Sequence, residues 1–202
     1  MEDQENYYSY SVDQGYRVTR AELLKRENEV KEAGLDLEKI IDNIDRIMPG
    51  NIKEKVEYIT QELGIDKKVF EKFPALFGYR RDNLEPKVEY ITQELGIDKK
   101  VFEKFPSLFS FTRDNLEPKV EYITQELGID KKVFEKFPAL FGYSMSKRIW
   151  PRLELIREQG FGFSSNMLSL AEDGFLHHYN FEKYQLDSKI DQFENSVYAK
   201  KL

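Results

Sequence analysis

The chain has 202 residues, 34% charged and 40% hydrophobic, with a formal net charge of −6. It has no cysteine, which excludes a disulfide framework and a thiolate metal site, and no apolar run approaching the ~18 residues that a membrane helix needs. The acidic excess sits in residues 1–50, with 7 basic against 12 acidic groups, while residues 51–146 carry 16 and 17, so composition shows no general basic patch of the kind nucleic-acid binders carry.

Residues 1–18 are polar and rich in tyrosine (Tyr7, Tyr8, Tyr10, Tyr16) without a clear period, and read as a flexible lead-in. Met1-Glu2-Asp3-Gln4-Glu5 is neither a signal peptide nor an Arg-rich transit sequence. The expected setting is therefore intracellular: the cytoplasm, or an organelle matrix if a presequence has been removed. A helix is predicted from Thr19, with Glu22 at the capping-box spacing. Ala33-Gly34-Leu35-Asp36 then echoes Leu63-Gly64-Ile65-Asp66, and Ile40, Ile41, Ile44, Ile47 and Met48 echo the apolar positions beyond. Residues 20–50 thus read as a degenerate repeat capping an array.

The array follows. The stretch KVEYITQELGIDKKVFEKFP occurs unchanged at Lys55–Pro74, Lys87–Pro106 and Lys119–Pro138, a period of 32 residues. Such a period signals stacked supersecondary units, because one unit cannot bury its own apolar face. The repeats span 51–82, 83–114 and 115–146. In the middle one, Leu84, Val88, Ile91 and Leu95 mark one face of a long helix, with Asn83 as the expected N-cap and Pro86 in the first turn. Gly96 and Ile97 suit a Schellman ending. Asp98 is placed to cap a short helix carrying Val101, Phe102 and Phe105, and Pro106 opens a last helical turn with Leu108 and Phe109. The aromatic set Phe70, Phe73 and Phe77 reads as core. Differences between copies cluster after this block, at Gly78/Ser110, Tyr79/Phe111 and Arg80/Thr112 among others. A divergent repeat over 147–178 and a terminal helix over 187–200 complete the expected architecture, an all-α solenoid of long helix, short helix and helical turn.

These residues resemble the mitochondrial transcription termination factor (mTERF) family. The resemblance rests on Asn83, Leu84, Pro86, Lys87, Val88, Glu89, Tyr90 and Ile91, then Leu95-Gly96, then Phe105-Pro106 with Leu108 and Phe109. It extends to Lys147-Arg148-Ile149-Trp150-Pro151-Arg152 and to the stretch from Leu168 to Tyr179. It implies triple-helical repeats in a curved half-ring with a concave groove for double-stranded DNA or RNA.

Two uses of such a scaffold remain open. In a nucleic-acid binder, a cation repeated once per unit matches the regular spacing of phosphates. The candidates are Lys55, Lys87, Lys119 and Arg152, with Arg80, Arg81, Arg113, Lys147 and Arg148 in the inter-repeat turns. In a protein-interaction scaffold the same lysines pair with neighbouring glutamates on a solvated face. Catalysis is not expected. The two histidines, His177 and His178, are adjacent on a helix and diverge. Carboxylates such as Glu57, Glu62, Asp66 and Glu71 recur in every unit, unlike an active site. No cofactor, metal or membrane is expected, and the chain reads as a monomer.

Overall fold

A computed structural model describes residues 7–8, 18–42 and 52–201. Ile44, Ile47 and Met48 lie outside them, as does most of the expected lead-in. The chain divides into two compact units, residues 1–94 with 102–109 and residues 95–101 with 110–202.

In the first unit, β1 (Tyr7–Tyr8) pairs antiparallel with β2 (Val18–Thr19), a two-residue contact in an otherwise helical body. Thr19 and Glu22 close the expected capping box, and α1 (Arg20–Glu32) follows. Next come α2 (Leu37–Ile40), α3 (Ile52–Glu57), α4 (Val69–Lys72) and α5 (Arg81–Glu89). α1 packs on α3 and α2 on α4, enclosing Val30, Ile40, Ile52, Ile59, Val69 and Phe70, each at most 1% exposed. In the second unit, α7 (Arg113–Glu121) and α8 (Lys132–Lys136) repeat the pattern, and α9 (Trp150–Glu158) begins its divergent version. α10 (Asn166–Ser169) and α11 (Glu172–Tyr179) precede α12 (Lys183–Phe193). α12 packs along α9, with the Phe193 ring edge-on to Trp150 at 5.7 Å. The remaining short helix, α6 (Lys100–Lys104), carries residues of both units.

Each long helix ends alike. Its ladder slips from i−4 to i−5 in a π-turn at Tyr58–Glu62, Tyr90–Glu94 and Tyr122–Glu126. In each, a threonine hydroxyl donates to the valine carbonyl four residues back (Thr60 to Val56, Thr92 to Val88, Thr124 to Val120), all at 2.7 Å. A hydroxyl that takes an i−4 carbonyl competes with the backbone ladder, which accounts for the recurrence. Beyond it, Gly64, Gly96 and Gly128 adopt φ of 61–65°, and Ile65 and Ile129 bond back to Ile59 and Ile123 at 3.0 and 3.1 Å, a glycine ending one residue wider than the expected Schellman motif because the π-turn adds a residue. Asp66, Asp98 and Asp130 then each accept an amide N–H two residues on at 2.8 Å, as expected of caps.

The last turn holds a stacked pair: Phe70 on Phe77, Phe102 on Phe109 and Phe134 on Phe141, with centroids 4.3–4.5 Å apart. A pair of this kind adds about 0.5–1.5 kcal/mol beyond its buried area. Phe73 departs from the sequence expectation. It is only half-buried and leans on Tyr79 at 6.3 Å. Two boundaries also differ. α5 starts at Arg81, where the N–H groups of Asn83 and Leu84 both reach the Arg80 carbonyl, so the first turn is wound before Asn83 could cap it and Pro86 sits sixth in the helix. The terminal helix is α12, opened at Glu182 by a 2.7 Å bond to the Gln185 side chain, and is not the 187–200 segment. Its buried Leu186 and Phe193 fix that earlier phase.

Repeats joined mainly to their neighbours predict a clear deletion result. Removing residues 87–118, one full period, should leave a chain that melts cooperatively. Removing residues 87–102, half a period, should abolish the cooperative transition. Circular dichroism melts compare the two, and matching melts would contradict this energetic picture.

Candidate nucleic-acid interface

The recurring cation projects into its own repeat. Lys87, seventh in α5, sends its Nζ across to the Phe109 carbonyl 22 residues on, at 2.7 Å. Lys119 reaches Phe141 O at 2.7 Å and Asn115 Oδ1 at 2.9 Å, and Lys55 donates to Phe77 O. Arg152 spans two carbonyls, Leu170 O at 2.7 Å and Met167 O at 3.2 Å. Each carbonyl acceptor lies in the closing turn of the repeat, where backbone carbonyls lack helical partners and cations are favoured. Aromatic rings cover three of them. Tyr79 lies 5.0 Å from Lys87 Nζ, Phe111 5.2 Å from Lys119 Nζ, and Phe175 4.6 Å from the Arg152 guanidinium. Lys119 and Arg152 are only 3% and 2% exposed. Burial lowers the pKa of Lys55 and Lys87 and pushes that of Lys119 down to about 8. Burial first, and then the Arg148 charge, bring Arg152 to about 10.

The sequence reading took these four as phosphate contacts, and the structure gives each an internal partner. Their donors are directed to carbonyls inside the fold, and in Lys119 and Arg152 they are closed off from solvent. Among the described residues none of the four forms an ion pair with a glutamate. The variable turn gains a role here too, because Tyr79 and Phe111, which differ between copies, both serve as the ring over the next cation.

The five turn cations stay at the surface. Arg80 pairs with Asp82 at 3.1 Å. Arg81 is held by Glu62 and stacks 4.5 Å over Tyr58. Arg113 meets Glu117 at 3.3 Å. Arg148 lies 4.8 Å over Tyr143. Lys147 is exposed, its backbone N–H bonded to the Ser144 cap and its amine without a partner among the described residues. Exposed pairs of this kind contribute about 0–1 kcal/mol, so a phosphate can displace the carboxylate. Arg80 and Arg81 also border a cleft of about 540 Å³ in the first unit with Lys55, Tyr58 and Tyr79, but Glu54, Glu57 and Glu62 line it as well, so its charge is balanced.

The sequence reading missed how the fold sorts charge. The long helices expose carboxylates: Asp82, Glu85, Glu89 and Glu94 on the middle repeat, against the single surface cation Arg81. The short helices expose amines. Lys68, Lys99, Lys100, Lys132 and Lys136 are all exposed, and none makes an ion pair or side-chain hydrogen bond among the described residues. Both signs follow from one 32-residue period, and the helical phase could have separated them.

A second residue set invisible to the repeat pattern closes the array. Tyr122 donates to Glu154 at 2.8 Å, Arg157 pairs with the same carboxylate, and Tyr198 packs edge-on to Tyr122 at 5.2 Å. Burial raises the pKa of the Tyr122 hydroxyl. His177 and His178 are both exposed on α11, and among the described residues no three metal-binding side chains converge. No described helix is long and apolar enough to cross a membrane.

The mTERF family model matches residues 6–176 of this chain. Comparison with curated proteins gives no match.

Lys119 yields a test with a defined sign. Lys119→Met leaves the Phe141 carbonyl without its donor and should cost about 1–3 kcal/mol of stability. The folded pKa of about 8 lies below the unfolded value near 10.4. Between those limits the unfolded chain binds the extra proton, so wild-type stability rises with pH through that window. The Met variant lacks that contribution, so the stability gap between the two chains should widen from pH 8 to 10.4. Urea melts of both across that range measure it, and a constant gap would contradict the buried amine.

Proposed function

The chain belongs to the mTERF family, and on that premise we propose that it binds double-stranded DNA or RNA and acts in organelle-type or bacterial gene expression, in an organelle matrix or a bacterial cytoplasm. The family match over residues 6–176 is the observation that carries this reading. The helical repeats support it with surface cations on a 32-residue register, since duplex phosphates are themselves periodic. Binding of this kind is electrostatic and reads the backbone, with sequence preference left to other contacts. The buried cations keep each repeat closed and leave recognition to the surface ones.

One observation favours a second reading, a protein-interaction scaffold that binds no nucleic acid. The exposed long-helix surface, with Asp82, Glu85, Glu89 and Glu94, repels phosphates and suits a basic protein segment.

Salt separates the two. Fluorescence anisotropy with a duplex, from about 50 to 200 mM salt, should show affinity falling by orders of magnitude, linear in log–log form. No binding to DNA or RNA duplexes at the low-salt end would overturn the first reading in favour of the second.

A further inference from the structure

We propose that the duplex backbone runs along the short-helix lysines, on a basic ledge set by Lys99, Lys100, Lys132 and Lys136, and not along the long helices. This rests on the reading of the chain as a nucleic-acid binder and names the surface that reading requires.

The ledge is clearest in the second unit. The Asp98 N–H donates to Glu135 Oε1 at 3.0 Å, which ties the start of one short helix to the middle of the next. Lys99 and Lys100 follow Asp98 in the chain, Lys136 follows Glu135, and Lys132 stands one turn before Lys136. Four exposed lysines therefore branch from the chain within three residues of one or other partner of a single backbone contact. The carboxylates beside them are already engaged. Asp98 and Asp130 each accept the N–H of a residue two places on at 2.8 Å, and Glu135 accepts Asp98 N. Each of these carboxylates has one oxygen committed to a backbone N–H. All four lysines are exposed, and no ion pair or side-chain hydrogen bond occupies their amines among the described residues.

The same arrangement recurs in the first unit, where Asp66 N donates to Glu103 Oε1 at 3.2 Å. There Lys67 and Lys72 turn to the carbonyls of Ala33 and Glu103 at 3.0 and 2.8 Å, and Lys68 makes no ion pair or side-chain hydrogen bond among the described residues. The equivalence of Lys68, Lys100 and Lys132 at 32-residue intervals gives one unengaged cation per repeat at a fixed place.

Charge decides between the surfaces. On the long helix of the third repeat, a phosphate meets Asp114, Glu117, Glu121 and Glu126, with Arg113 at Glu117 and Lys201 at Glu121 as the exposed cations. On the short helix, Lys131, Lys132 and Lys136 outnumber Asp130 and Glu135. A polyanion is attracted to the second surface and repelled by the first.

The test compares three full-length chains: wild type, K99Q/K100Q/K132Q/K136Q, and the charge-matched control K25Q/K31Q/K53Q/K200Q. Each is titrated with DNA and RNA duplexes of about 20 base pairs across a salt series, after its melting curve has been checked against wild type. Removing four phosphate contacts should flatten the log–log salt slope by about three to four and weaken low-salt binding at least tenfold, while the control keeps most of the wild-type slope. If wild type binds and the ledge variant matches it, or if the control loses as much as the ledge variant, the ledge is overturned while nucleic-acid binding stands. If wild type itself does not bind, the functional reading fails with it.

Discussion

Every repeat depends on one bond, the donation from a long-helix cation to a carbonyl in its own closing turn. The chain leaves the long helix, passes through a glycine ending and a short helix, and must return 22 residues later to within hydrogen-bond distance. A charge-assisted bond inside a low-dielectric interior is stronger than its surface counterpart. It is also directional, which stacked phenylalanines alone are not. The pairs Phe102–Phe109 and Phe134–Phe141 provide cohesion, and the lysine fixes where the turn ends. Arg152, with its two carbonyls, does the same for the divergent repeat, where the closing turn arrives at a different distance along the chain.

Identical sequence does not give identical environments. Lys55, Lys87 and Lys119 occupy the same place in three unchanged blocks, yet only Lys119 is fully buried. The difference comes from the neighbours. Lys119 gains a bond to Asn115, and the repeat that follows it is the divergent one, in which Arg152, Leu153 and Glu154 stand in the places of Lys119, Val120 and Glu121. In that repeat Glu154 accepts the Tyr122 hydroxyl. Through the Tyr122–Tyr198 contact and the packing of α12 on α9, it gives the array an end that no further repeat needs to cover.

The parts of this fold that follow a local rule were legible in the sequence. Gly96 needs a left-handed backbone, Asp98 needs an amide two residues on, and Leu84, Val88 and Ile91 need one helical face. The direction of Lys87 was not read correctly, although its position carried the signal. It lies three residues after Leu84 and four before Ile91, on the apolar face, where a long stem extends inward as readily as out. The true start of α5 was hidden because Asn83 is a good capping residue in isolation, and only the Arg80 carbonyl shows that the turn has begun. The basic ledge was hidden differently. Counting charges over a whole repeat cancels the long-helix carboxylates against the short-helix amines, and only the fold separates them.

Nitrogen-15 spectroscopy of the lysine ammonium groups, with and without duplex, addresses the division between internal and external cations most directly. The account predicts that the Lys87 and Lys119 signals show scalar coupling to the Phe109 and Phe141 carbonyl carbons, exchange slowly with water and stay in place when duplex is added. The Lys100 and Lys132 signals should exchange freely and shift with duplex. Free exchange at Lys87 and Lys119, with shifts on adding duplex, would contradict it.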